Sequence, residues 1–294
     1  MQKFTLILAL VLTTLSLQAI SPYYLVADVE GDLNTVEASI VSALEANGFS
    51  VIGKYNPMEN NSKRIIVYSS GHLQKLCGKV TDRGMLAAAL KVAFWTRDGK
   101  VRVTMLNPEY LFLAYLREEG DKGAMKGALG QINESAITAM KAIGTTMKPF
   151  GGDLEAKKLK EYKYMMGMPK FEDPVELNEF SSFEKGVSTI QANLIAGKGS
   201  AAKVFEIIDA EKQIAVFGVA LNDSEMGEGH FLPIIGEKQI AGMPYEIILQ
   251  GKTATILHGR FRFASHWPEL TMRTFTKIMS SPGDVEDMMK ALTE

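Results

Sequence analysis

Leu90-Lys91-Val92-Ala93-Phe94-Trp95 runs into Arg97-Asp98-Gly99-Lys100 and then into Val101-Arg102-Val103-Thr104-Met105. Two runs rich in β-formers around Asp-Gly are a strong short-range hairpin signal, because Asp-Gly suits the left-handed turn that matches strand twist. Upstream, Tyr23 to Val29 reads as a strand, and Asn34 is positioned to cap a helix with Glu37 completing a capping box. Val36, Ile40, Val41 and Leu44 fall on one face of that helix, and Asn47-Gly48 ends it. Phe49 to Tyr55 forms a second strand, broken by Asn56-Pro57, and Ile65 to Tyr68 a third. After the hairpin, Met125, Leu129, Ile132, Ala136, Met140 and Ile143 make one apolar helical stripe. The order is strand, helix, four strands, helix.

The second half follows the same order. Thr189 to Leu194 is expected as its first strand, and Ala201 to Ala210 as its helix, carrying Val204, Phe205, Ile207 and Ile208. Lys212 to Gly218 then lies over Asn47 to Gly53, and Tyr245 to Leu249, Gln250-Gly251-Lys252 and Thr253 to His258 mirror the first hairpin. Asp223 to Gly242 is glycine-rich and reads as loop as readily as strand. The fold class expected is α+β, as two tandem copies of a curved antiparallel sheet backed by helices. We divide the chain into a signal segment (1–19), an N-terminal domain (20–148), a connector with a charged helix (149–186) and a C-terminal domain (187–294).

Met1-Gln2-Lys3, an apolar run from Phe4 to Leu17 and a small residue at Ala19 have the build of a cleaved export signal, with the mature chain starting at Ile20. The run is short for a membrane span, and no later stretch is long and apolar enough to be one. A membrane anchor is the competing reading of this segment; the export reading expects the protein outside the cytoplasm, in the periplasm, with no membrane span after cleavage. Net charge is −2, with 32 basic against 34 acidic residues, which gives no sign of a nucleic-acid partner. Cys77 is the single cysteine, so no intramolecular disulfide is possible, and burial is the expectation for it.

The residues Thr35-Val36-Glu37 through Leu44-Glu45-Ala46-Asn47-Gly48-Phe49, with Leu90-Lys91-Val92 and Asp98-Gly99-Lys100-Val101, resemble a bacterial family known as domain of unknown function 302 (DUF302). The resemblance covers about Tyr24 to Tyr115, and Ser69 to Leu73 departs from it. It implies a TATA-binding-protein-like fold, with helices on one side of a curved antiparallel sheet. That family has no established activity, so the resemblance implies no site and no cofactor.

Three constellations bear on chemistry. His258, Arg260, Arg262 and His266 share parity along Thr255 to Trp267, so on an unbroken strand all four face one way. Such a row suits a small anionic ligand, a carboxylate or phosphate; a solvated basic face is the plainer alternative, and a bulge at Gly259 would turn His258 away. Met165, Met166 and Met168 form a cluster of soft thioethers suited to Cu(I), against the plainer reading that they are flexible packing. Gly197-Lys198-Gly199-Ser200 matches the glycine pattern of a dinucleotide loop, but a plain tight turn is the better reading of it. No nucleophile elbow or zinc motif is present. The expectation is therefore a non-enzymatic ligand-binding or scaffold module of the cell envelope. The alternatives are a hydrolase or isomerase whose groups converge only in space, and a copper-handling protein.

Overall fold

The computed structural model describes residues 19–294. The expected signal segment thus lies, but for its last residue, outside the described residues. Within them no helix is long and apolar enough to cross a membrane.

The first half opens with β1 (Tyr23–Val29), α1 (Leu33–Ala46), β2 (Ser50–Tyr55) and β3 (Lys63–Ser69). It continues through α2 (Gly71–Cys77), β4 (Leu90–Arg97), β5 (Lys100–Leu106), α3 (Pro108–Tyr115), α4 (Gly123–Lys141) and β6 (Lys148–Phe150). Its sheet runs β2-β3-β4-β5-β1-β6, with every neighbouring pair antiparallel. The hairpin forms as expected. Asp98 (φ 50°) and Gly99 (φ 79°) are both left-handed, the conformation a two-residue type I′ turn demands. One detail differs at α1. The cap is Asp32, whose carboxylate accepts from the N–H groups of Asn34 and Thr35 at 2.8 and 3.0 Å, while Glu37 turns to Lys54 and Arg64. An ionised acceptor two residues earlier outcompetes the asparagine amide, and Glu37 finds two cations instead.

The second half comprises β7 (Val175–Glu179), α5 (Phe183–Ile195), β8 (Ala201–Asp209), β9 (Ile214–Leu221), α6 (Glu228–Ile235), β10 (Tyr245–Gln250), β11 (Thr253–Ile256), α7 (Gly259–His266) and α8 (Ser281–Ala291). Its sheet runs β8-β9-β10-β11-β7. Two expectations are overturned here. Thr189 to Leu194 is helix, because Ser182 caps α5 and Phe183, Gly186, Ile190 and Leu194 form its buried stripe. Ala201 to Asp209 is strand. A bulge between Lys203 and Phe205 skips Val204, so the apolar positions 204, 205, 207 and 208 imitate helical spacing without being helical. The opening strand is Val175–Glu179, from within the stretch read as connector.

Each half thus reads strand, helix, two strands, helix, two strands, and the orders β2-β3-β4-β5-β1 and β8-β9-β10-β11-β7 correspond, with β6 an added edge strand on the first sheet. The sheets meet face to face. Val67 and Lys91 are register partners on β3 and β4, and Lys91 pairs with Glu246 on β10 of the other half. α5 covers the opposite face, where Gly186 backs onto Leu249 and Phe180. Having cover on both sides, β9 is buried along its whole length, which is why it reads as a continuous apolar run and not as an alternation.

Candidate functional site

The four basic residues expected on one strand face lie instead on and before a helix. Only Leu257 and His258 separate β11 from α7, and His258 caps the helix, its Nδ1 accepting from the Arg260 N–H at 3.2 Å. At 100° per residue, positions 258, 262 and 266 fall on one stripe, whereas 260, 263 and 264 fall on the other side. Alternation by two, which would align all four on a strand, splits them here. α7 consequently works as a partition with a different environment on each side.

One side is the seam between the halves. Arg262 is 1 % exposed. Its Nη2 donates to the carbonyls of Gly242 and Pro244 and lies 3.4 Å from Glu246, whose other oxygen holds Lys91. The guanidinium stacks 5.0 Å from the Tyr245 ring centroid, while its Nε and Nη1 have no hydrogen-bond partner among the described residues. His266 is equally buried, with Nε2 2.8 Å from the Tyr115 hydroxyl and its carbonyl accepting from Tyr23 at 2.9 Å. Burial, then the nearby Arg262 and Lys91 charges, hold its pKa far below the ordinary imidazole value, so it is a neutral ring at physiological pH. Neither residue can meet an external anion. They are structural members of a buried network, and leaving either without its partners would expose the desolvation cost of a lone polar group.

A second buried group lies at the same seam. Glu228, at the start of α6, accepts from the Tyr55 hydroxyl at 3.1 Å, the Met58 N–H at 3.2 Å and the Leu221 N–H at 3.4 Å. Its donors come from both halves. Burial dominates those bonds and raises its pKa from 4.5 to about 7.

The other side of α7 is a cavity of about 220 Å³. Arg260, Phe263 and Ala264 form its helical wall, Leu270, Met272, Phe275, Thr276 and Met279 its far wall, and Tyr164, Met165, Met168 and Pro169 its cover. The connector is set there by local contacts: Phe171 packs edge-on against Phe261 and at a tilt against Tyr115, and Tyr162 donates to the Ala264 carbonyl at 3.1 Å. A turn closed by the Met168 N–H to the Met165 carbonyl, with Gly167 left-handed at φ 80°, then folds the methionines over the opening. Met165 and Met168 line the cavity. Met166 does not, and is 93 % exposed. Met272 and Met279, distant in sequence, join the lining; nothing in their local spacing marked them.

The remaining candidates resolve simply. Cys77 is fully buried in α2, and burial pushes its thiol pKa well up, which makes it inert packing. Gly197 to Ser200 is a tight turn after the C-terminus of α5 and before β8. A dinucleotide loop needs a strand followed by a helix N-terminus, so the phosphate-binding reading is overturned. Among the described residues, no cluster of three or more His, Cys, Asp or Glu could hold a metal ion.

No protein-family model matches the chain, and no curated protein matches it. It is similar to a solved structure described as an uncharacterized conserved protein DUF302 from Bacillus stearothermophilus, at 16% sequence identity and a TM-score of 0.32. The match spans 41% of this chain and 96% of that one.

Proposed function

We propose that the protein is an exported binding module of the bacterial cell envelope, formed from two diverged copies of one α+β unit, and that it holds a small molecule with a largely apolar body beside α7. The observation supporting this is the cavity itself: about 220 Å³, walled by aromatic rings, thioethers and aliphatic groups beside Arg260, with no carboxylate, histidine or cysteine among the described residues that line it. An apolar cavity of about 150 Å³ is enough to take benzene. The catalytic alternative finds less support, because Glu228, Glu246 and His266 are buried at the seam and none lines the cavity. Native mass spectrometry of protein purified from its own envelope tests the proposal. A retained low-mass ligand, lost when Met279→Trp fills the cavity, is the expected result, and indifference of that ligand to the filled cavity contradicts it.

Export rests on the Met1–Ala19 pattern and predicts Ile20 as the N-terminal residue of the envelope-fraction protein; an intact Met1 there refutes it. Duplication is supported by two contacts between like positions. Lys91 and Glu246 are each the second residue of β4 and β10, and Tyr115 and His266 each end an eight-residue helix. Equivalent positions touch where an approximate two-fold axis passes between copies.

A second reading, Cu(I) binding, is favoured by four thioethers, those of Met165, Met168, Met272 and Met279, around one cavity. Competition with a chromophoric Cu(I) chelator tests it. Removing Met165 and Met168 together should abolish binding, and no uptake by the parent protein excludes it.

A further inference from the structure

We infer that the ligand of this cavity is a small amphipathic anion, a single-chain carboxylate of medium length, with Arg260 as its counter-ion. This rests on the binding reading above and names the class of molecule bound. Three observations carry it.

Among the described residues, Arg260 is the one charged side chain on the cavity lining. No carboxylate among the described residues forms an ion pair with it, which is also true of Arg273, whereas Arg64, Arg83, Arg97, Arg102, Arg117 and Arg262 all have one. The hydroxyls beside it are already committed: Thr276 donates to the Arg273 carbonyl at 2.9 Å, and Tyr164 is directed at the Leu270 carbonyl at 3.4 Å. A polar group entering the cavity mouth therefore meets a guanidinium and little else. A guanidinium offers paired N–H donors that match a carboxylate.

Size sets the rest of the molecule. Scaled from the ~150 Å³ that accommodates benzene, about 220 Å³ takes roughly eight or nine carbon atoms. Methionine side chains on the cover and far wall supply flexible, polarizable walls, which suit a chain without fixed shape better than a rigid ring system. A bare metal ion would leave most of that volume empty, and a two-chain lipid would not fit.

Calorimetric titration of the mature chain with octanoate, octanol and octyltrimethylammonium tests the inference. Octanoate should bind about fivefold to tenfold more tightly than octanol, the gain being modest because Arg260 is exposed and screened. The cation should bind weakest. Arg260→Ala should bring octanoate to the octanol value, and Arg260→Lys should keep part of the preference, which a purely structural role for Arg260 would not. Equal affinity for octanoate and octanol in the parent, or an unchanged preference in Arg260→Ala, overturns the anion assignment and leaves the cavity reading standing. Binding of none of the three overturns the cavity reading itself. Arg260-dependent sedimentation with phosphatidylglycerol vesicles, without octanoate binding, overturns the soluble carboxylate in favour of a membrane headgroup.

Discussion

Replacing Glu228 with glutamine should make the protein more stable at pH 8 and nearly neutral in effect at pH 5. In the folded chain the carboxyl ionises only near pH 7; in the unfolded chain it does so near 4.5. Below 4.5 both states hold the proton and there is no difference between them. As pH rises from 4.5 towards 7, only the unfolded state releases it, so the unfolded state gains and stability falls. Above 7 both states are ionised and the loss is complete. At about 1.4 kcal/mol per pH unit, this interval costs about 3 kcal/mol. Glutamine reproduces the protonated shape and never ionises. The difference between variant and parent should thus grow from under about 1 kcal/mol at pH 5 to about 3 kcal/mol at pH 8. Taking the difference matters because His266 acts the other way. Neutral in the fold, it favours the unfolded chain as pH falls below about 6.5, where a free imidazole takes up its proton. The two slopes oppose each other in the parent, while subtraction isolates Glu228. Urea titrations followed by the fluorescence of the buried Trp95 and Trp267 at pH 5, 6, 7 and 8 supply the values. A difference that stays constant across that range refutes the assignment of a protonatable, buried Glu228.

Glu246→Gln should destabilise the fold by about 3–5 kcal/mol, since it leaves Lys91 and Arg262 buried without their shared carboxylate. The pair Lys91→Met with Glu246→Met should cost clearly less than the two single changes added, which a double-mutant cycle in urea measures. Gly53→Ala should destabilise by about 1–3 kcal/mol, because a Cβ there would lie 2.3 Å from the Val204 carbonyl of the other half; an unchanged urea midpoint contradicts that packing. Cys77 should resist a thiol reagent in the native protein and react stoichiometrically in denaturant, as burial raises its pKa; fast labelling of the native chain contradicts it.

What the sequence discloses depends on how local the cause is. Asp98-Gly99 specifies its own turn, so the first hairpin was legible, and the stripe from Leu129 to Met140 specified α4. Val204 was not legible, because a bulge changes parity without leaving a compositional mark. Around α7, alternating arginine and phenylalanine imitates a strand, and only the fold shows that 260, 263 and 264 face one space while 262 and 266 face another. The seam could not be read at all: Lys91 and Glu246 are 155 residues apart, and each alone is an ordinary charged residue. The methionine cluster was visible, yet half of the thioethers around the cavity came from residues near the C-terminus that no motif linked to it.

The Lys91–Glu246 contact also governs which partners each half can accept. Two copies of the first half docked in the same way would press lysine against lysine, and two copies of the second would set glutamate against glutamate. In either case like charges would meet out of water, at a cost far above that of an exposed pair. Opposite charges at one shared position therefore act as a key that admits only the unlike half. A chain with two similar sheets is exposed to swapping halves with its neighbours. This buried contact bars like halves from pairing, while the preference for the half in the same chain comes from the covalent link, which holds that half at a high effective concentration.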